Sequence, residues 1–204
     1  MATIEVGIEE QKRTFYAYRG LLSFYSGYFQ AALKGSWAEA ETGRFVFAEE
    51  DIDVVERFVL WLNSRRITDK TPELDFDIIL RLWLFADRRD IPFLMNEMID
   101  CLQRAIIERT TMPVESLHLV YENTSPSCPL RRMLVESFRN LCNPNDFSVE
   151  AYIDMWPKQA LWDLAKALCT IPRPDLSSLE LFEQASMCRF HVHEDGVRCP
   201  VKPP

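Results

Sequence analysis

Apolar and polar positions change their period along the first fifty residues, and each change predicts an element. Ile4-Glu5-Val6-Gly7-Ile8 alternates apolar with small or polar residues and predicts a first strand. Glu9 to Lys12 would turn the chain into a second strand over Thr14–Tyr18. After Arg19 the apolar residues fall at Leu21, Leu22, Tyr25, Tyr28, Phe29, Ala32 and Leu33, the spacing of one helical face. Lys34-Gly35 ends that predicted helix with a cation in the last turn and a glycine just after it. A loop carrying Trp37-Ala38-Glu39 follows, and Gly43 opens a strand over Arg44-Phe45-Val46-Phe47.

Beyond this stretch the pattern is helical. Asp51 or Asp53 can cap a helix bearing Val54, Val55, Phe58, Val59 and Leu62 at helical spacing. Residues 67–75 form a polar linker containing Pro72. Phe76–Asp87 is apolar nearly all round, as befits a helix inside a bundle. Asp90 can cap the next helix and Pro92 is tolerated in its first turn; Leu94, Met98, Ile99, Leu102, Ala105 and Ile106 would face inward as far as Glu108. From Pro113 onward shorter helices are predicted over Val114–Tyr121, Pro129–Leu141 and Ser148–Leu168, the last broken at Trp156-Pro157. Ser177-Ser178-Leu179-Glu180 is a capping box that should start a final helix reaching Met187.

Several of these positions together resemble the BTB/POZ family. Its strand motif F-x-x-H-R is matched by Phe15 and Arg19, with Tyr18 in place of the histidine. Its helix motif x-L-L-S-x-x-S-x-x-F is matched by Leu21-Leu22-Ser23, Ser26 and Phe29, and Glu39 stands in the acidic loop that follows. Phe58-Val59-Leu60-Trp61-Leu62 fits F-x-x-W-L-Y apart from Asn63 in the last place, and Ala86-Asp87, Ile91 and Leu94 fit A-D-x-x-x-I-x-x-L. The resemblance covers roughly residues 3–109. It implies an α+β fold, a small mixed sheet capped by a helical bundle over 1–109. An all-helical extension would occupy 110–170, and a linker, a short helix and a Cys/His-containing tail would occupy 171–204.

Composition narrows the class. A chain of 204 residues with 48% hydrophobic and 12% aromatic residues has ample material for a packed core. Its net charge of −8 argues against nucleic acid as the main partner, because phosphate binding draws on clustered Lys and Arg. No apolar run approaches the ~18 residues of a membrane span, and the first residues lack the basic-then-apolar order of a secretory signal. The six cysteines are therefore expected reduced, in cytoplasm or nucleus, with Cys101, Cys142 and Cys169 as small core fillers.

Three constellations carry candidate chemistry. Trp37-Ala38-Glu39 matches the hydrophobic-x-Glu element with which BTB adaptors grip a cullin scaffold, so the resemblance implies recruitment of a cullin-type ubiquitin ligase through Trp37 and Glu39. The resemblance also implies a twofold homodimer built on the first strand and first helix, with Ile4, Val6, Leu21, Phe24, Tyr25 and Tyr28 as contact candidates. The alternative is an oligomerisation scaffold with no ligase link. Cys188, His191, His193 and Cys199 offer thiolates and imidazoles, the ligands of tetrahedral zinc, although their spacing is not that of a standard finger. No other cofactor is called for. Catalytic motifs are missing: there is no nucleophile elbow, phosphate loop, H-E-x-x-H or dinucleotide fingerprint. His118 and Cys128 form the one conceivable base–nucleophile pair, with no third group to orient them, and a non-enzymatic protein is expected.

Overall fold

A computed structural model describes residues 1–8, 11–67, 74–141, 153–170, 187–193 and Cys199. The chain divides into two compact units, one of Met1–Leu74 with Arg81–Met95 and the other of Asp75–Leu80 with Asn96–Pro204. It is an α+β protein in which, among the described residues, one small sheet is accompanied by many helices.

In the first unit the sheet has the order β2-β1-β3. The central strand β1 (Ala2–Val6) runs antiparallel to β2 (Arg13–Ala17) and parallel to β3 (Arg44–Phe47), so the sheet is mixed. Ile4 pairs with Phe15 on one side and Phe45 on the other. The period-two alternation then sends Ala2, Ile4, Val6, Phe45 and Phe47 to the buried face. On the opposite face Glu5 is held by Arg44, with Nε–Oε1 and Nη2–Oε2 distances of 2.6 and 2.8 Å, and by Lys12. These two cations hold the Glu5 carboxyl down at about 2.

Helix α4 (Ile52–Ser64) buries Val54, Val55, Phe58, Trp61 and Leu62, and its N-cap Asp51 accepts from the Asp53 backbone N–H at 2.8 Å. Phe58 lies at the centre of an aromatic core. It stacks on Phe29 at 6.0 Å with an interplanar angle of 2°, and its centroid is 5.0 Å from that of Phe85. Phe29 meets Phe45 edge-on at 4.8 Å. Each buried ring is worth roughly 1.5–3 kcal/mol of transfer free energy, and aromatic pairs add about 0.5–1.5 kcal/mol.

The single helix expected after Arg19 is two: α1 (Arg19–Tyr25) and α2 (Gly27–Lys34). Ser26 between them is extended and caps α2, its Oγ accepting from the Phe29 N–H at 3.1 Å and donating to the Arg89 carbonyl at 2.6 Å. The apolar spacing survives the break, which is why periodicity alone missed it. At Gly27 a Cβ would overlap the Asp90 carboxyl group, so a side chain there would make that exposed carboxylate move aside. Asp90, expected to open the helix after it, instead adopts φ 47 and offers its carbonyl to the Gly27 N–H at 2.9 Å. A short helix, α3 (Ala38–Thr42), replaces the expected loop; Ala-Glu-Ala-Glu is good helix material, and Gly43 ends it at φ 65.

Helices α5 (Phe76–Arg88) and α6 (Pro92–Arg109) contribute residues to both units. As its composition predicts, α5 is buried continuously from Leu82 to Ala86. In the first unit Arg89 is buried over the rings of Phe47 and Phe85, 4.3 and 4.1 Å from their centroids, and paired with Glu50 at 2.7 Å. Burial lowers the Arg89 pKa from its ordinary value.

The second unit continues with a 3-10 turn (Val114–Ser116), α7 (Leu117–Asn123), α8 (Pro129–Leu141), a 3-10 turn at Ile153–Met155, α9 (Lys158–Thr170) and a 3-10 turn at Met187–Phe190. Buried Arg131 ties α8 to the end of α7, donating to the Tyr121 carbonyl at 2.6 Å and to Thr124 Oγ1 at 2.8 Å. Phe138 and Trp156 pack with centroids 4.6 Å apart. The expected helix over Ser177–Met187 falls, except for Met187, outside the described residues, as does Cys142. Cys169 is exposed and so is no core filler; its helix α9 turns Ala160 inward instead. Burial pushes the half-buried Cys101 thiol up.

Candidate functional site

The Trp37–Glu39 arm is assembled from both of its ends. Trp37 is the residue before α3, Glu39 lies in the first turn of that helix, and Trp37 is 68% exposed. One edge of its indole rests on Gly35, where a Cβ would stand 2.7 Å from Trp37 Cδ1. The C-terminal end of α3 is held by Arg19. Its guanidinium donates to the carbonyls of Met1 (3.3 Å), Ala40 (3.1 Å) and Glu41 (3.4 Å), and it occupies the space beside Gly43 that a side chain would need. A cation at carbonyls left open by a helix C-terminus is a favourable arrangement. The indole is thus displayed at the start of a short helix whose other end Arg19 holds.

The self-association candidates are not brought together on one surface. Ile4 and Val6 are 0% exposed, facing the core of their own unit, and β1 is flanked on both edges by β2 and β3. Phe24, 72% exposed, meets Tyr25 edge-on at 4.7 Å, and Tyr25 meets exposed Phe93 at 5.7 Å. The Arg65 guanidinium covers Tyr25 at 3.8 Å from its centroid. Leu21 is half-buried, whereas Tyr28, 41% exposed, leans toward Phe45 and Phe47 instead.

Three of the four tail residues converge as one cluster, and His191 adjoins it through Cys199. Cys188 Sγ lies 3.4 Å from His193 Nε2, Cys199 Sγ lies 3.3 Å from the same nitrogen, and His191 Nδ1 is 2.9 Å from Cys199 Sγ. The ligand atoms of Cys188, His193 and Cys199 all lie within 4.8 Å of one another, a cluster that could hold a metal ion. Two residues of α6 meet this cluster, and sequence reasoning missed both. Asp100 Oδ1 is 3.1 Å from His191 Nε2. Asn96 forms a two-way bridge with Val192, accepting from its N–H at 2.6 Å and donating to its carbonyl at 2.9 Å. Nothing local marks them, since polar residues four apart on a helix are ordinary and the tail is more than ninety residues away.

His118 sits on the outer side of α7 near Glu122 Oε1 (3.7 Å), whereas Cys128 is buried. The buried face of α7 is made by Leu117, Val120 and Tyr121. Among the described residues no helix is long and apolar enough to cross a membrane. No protein-family model matches the chain, and no curated protein matches it.

Proposed function

We propose that this chain is a protein–protein interaction module of BTB/POZ type, a self-associating adaptor that recruits a cullin-type ubiquitin ligase through Trp37 and Glu39. The observation that carries the reading is the indole of Trp37, 68% exposed yet seated on Gly35 at the head of a helix that Arg19 secures. A large aromatic left in water is an efficient anchor once it fills a partner pocket. The Glu39 carboxylate, two residues along, would pair with a basic rim. Calorimetric titration with the N-terminal domain of a BTB-binding cullin tests this. Trp37→Ala should weaken binding by about 2 kcal/mol or more.

A second reading, a scaffold with no ligase link, draws on the exposed ring of Phe24 beside Tyr25 and Phe93. Sedimentation of the chain and of Phe24→Glu tests it: a dimer that the substitution dissociates, with no cullin binding, would favour the scaffold. Under either reading the Cys188–His193–Cys199 cluster takes zinc, since paired thiolates and an imidazole are its preferred structural ligands. One zinc per chain is the expected content.

A further inference from the structure

We infer that His191 is the fourth ligand of this centre, aimed by Asp100, and that the completed Cys2His2 set staples the Met187–His193 segment and Cys199 onto helix α6. The inference rests on the zinc reading above and goes beyond it in naming the groups that orient the fourth ligand and the consequence for the fold.

The distances come first. Zn–S bonds of about 2.3 Å and Zn–N bonds of about 2.0–2.1 Å place sulfur and nitrogen about 3.5 Å apart at the edge of a tetrahedron. The Cys188–His193 and Cys199–His193 separations of 3.4 and 3.3 Å match such edges. His191 lies beside this cluster, its Nδ1 2.9 Å from the Cys199 sulfur, shorter than such an edge, so it would complete the set by turning toward the metal.

The second argument is the division of labour between the ring nitrogens of His191. Its Nε2 faces Asp100 Oδ1 at 3.1 Å, while Nδ1 faces the sulfur. In a neutral imidazole one nitrogen donates and the other carries a lone pair. If Nε2–H donates to Asp100, the lone pair is on Nδ1, turned toward the cluster. A carboxylate that accepts from the far nitrogen of a metal-bound histidine is the usual means of fixing its tautomer and ring orientation. The alternative is metal-free: an imidazolium paired with Asp100 and donating Nδ1–H to the Cys199 thiolate.

Third, the segment is held from several sides. Asn96 and Asp100 lie one turn apart on α6, so they share a face. Asn96 grips the backbone of Val192, the residue between the two histidines, through both its N–H and its carbonyl. Met187 and Phe190 are buried, and Arg189 pairs with Glu136 of α8 at 2.6 Å. With two sulfurs and two nitrogens the coordination is closed, which is the character of a structural centre and not of a catalytic one.

The test uses the full-length chain, with zinc and cobalt(II) as probes. Wild-type protein is expected to bind one zinc, and its cobalt form to show the intense visible bands of a four-coordinate S2N2 site. His191→Ala should lower zinc affinity at least 100-fold and change the cobalt spectrum. Asp100→Asn should lower affinity 10- to 100-fold while keeping the four-ligand spectrum. Zinc should also slow amide exchange at Val192 at least tenfold relative to the chelated protein. Failure of the wild type to bind zinc would overturn the zinc reading itself. Zinc binding that neither substitution weakens, with an unchanged cobalt spectrum in His191→Ala, would overturn the fourth-ligand inference and leave the zinc reading standing. Should His191→Ala not fold, Asp100→Asn and the Val192 exchange decide the matter: an unchanged affinity together with unchanged exchange contradicts the inference.

Discussion

The aromatic core of the first unit and the Cys/His segment of the second are held by different physics. In the first, five phenylalanines (Phe29, Phe45, Phe47, Phe58 and Phe85) meet ring to ring beneath a mixed sheet, and its buried cation, Arg89, is itself covered by aromatic faces. In the second, the Met187–His193 segment adds to its buried Met187 and Phe190 a set of directed polar contacts: an asparagine bridging a backbone amide group, a carboxylate against an imidazole, and thiols facing imidazole nitrogens. Hydrophobic burial is non-directional and tolerates small changes, whereas a polar set depends on every member being present. The aromatic core should therefore fail through loss of volume and the Cys/His segment through loss of a single ligand or hydrogen bond.

The largest expected effect is in the aromatic core. Phe58→Ala should destabilise the protein by about 3–5 kcal/mol in urea unfolding, from lost transfer energy and a residual cavity. A cost under about 1 kcal/mol would mean that the ring cluster is not what holds the first unit together. Chelation gives the complementary result: amide exchange at Val192 should accelerate at least tenfold, about 1.4 kcal/mol of local stability, while β1 amides keep their rates. Equal acceleration in both places would erase the contrast.

A polar staple also exists within the first unit, and it sharpens the comparison. Ser26→Ala removes a buried donor to the Arg89 carbonyl and the cap on Phe29 N–H. A loss of about 1–3 kcal/mol is expected, smaller than for Phe58 because the surrounding core persists. Gly35→Ala should change stability little but displace the Trp37 indole from its seat, seen as a shift in its fluorescence.

The smallest effect is electrostatic. Glu5 in the folded protein titrates at about 2 instead of its ordinary 4.5, because Arg44 and Lys12 favour its charged form. A depressed carboxyl contributes stability at pH values above 4.5, and that contribution is lost as pH falls from 4.5 through about 2. A carboxyl chemical-shift titration should place the Glu5 midpoint near the lower value, and Arg44→Gln should move it up.

What the sequence made legible follows from these same differences. Period-two and three-and-four spacings located β1, α4, α5 and α8, because each buries an apolar face that the pattern records directly. The break at Ser26 was hidden, since apolar residues at helical spacing run on either side of it and the cause, the Arg89 carbonyl, lies 63 positions away. For the same reason the four Cys and His residues could be named from the sequence, but Asp100 and Asn96 could not. Trp37 and Glu39 were visible as residues, while the exposure of the indole and the short helix it precedes were not.

The adaptor reading is tested most directly by titrating the folded, full-length chain with the N-terminal domain of a BTB-binding cullin in a calorimeter. The account predicts micromolar or tighter binding, weakened about thirtyfold or more by Trp37→Ala, with the variant as stable as the wild type. No binding heat from folded protein, or an affinity that Trp37→Ala leaves unchanged, would contradict it.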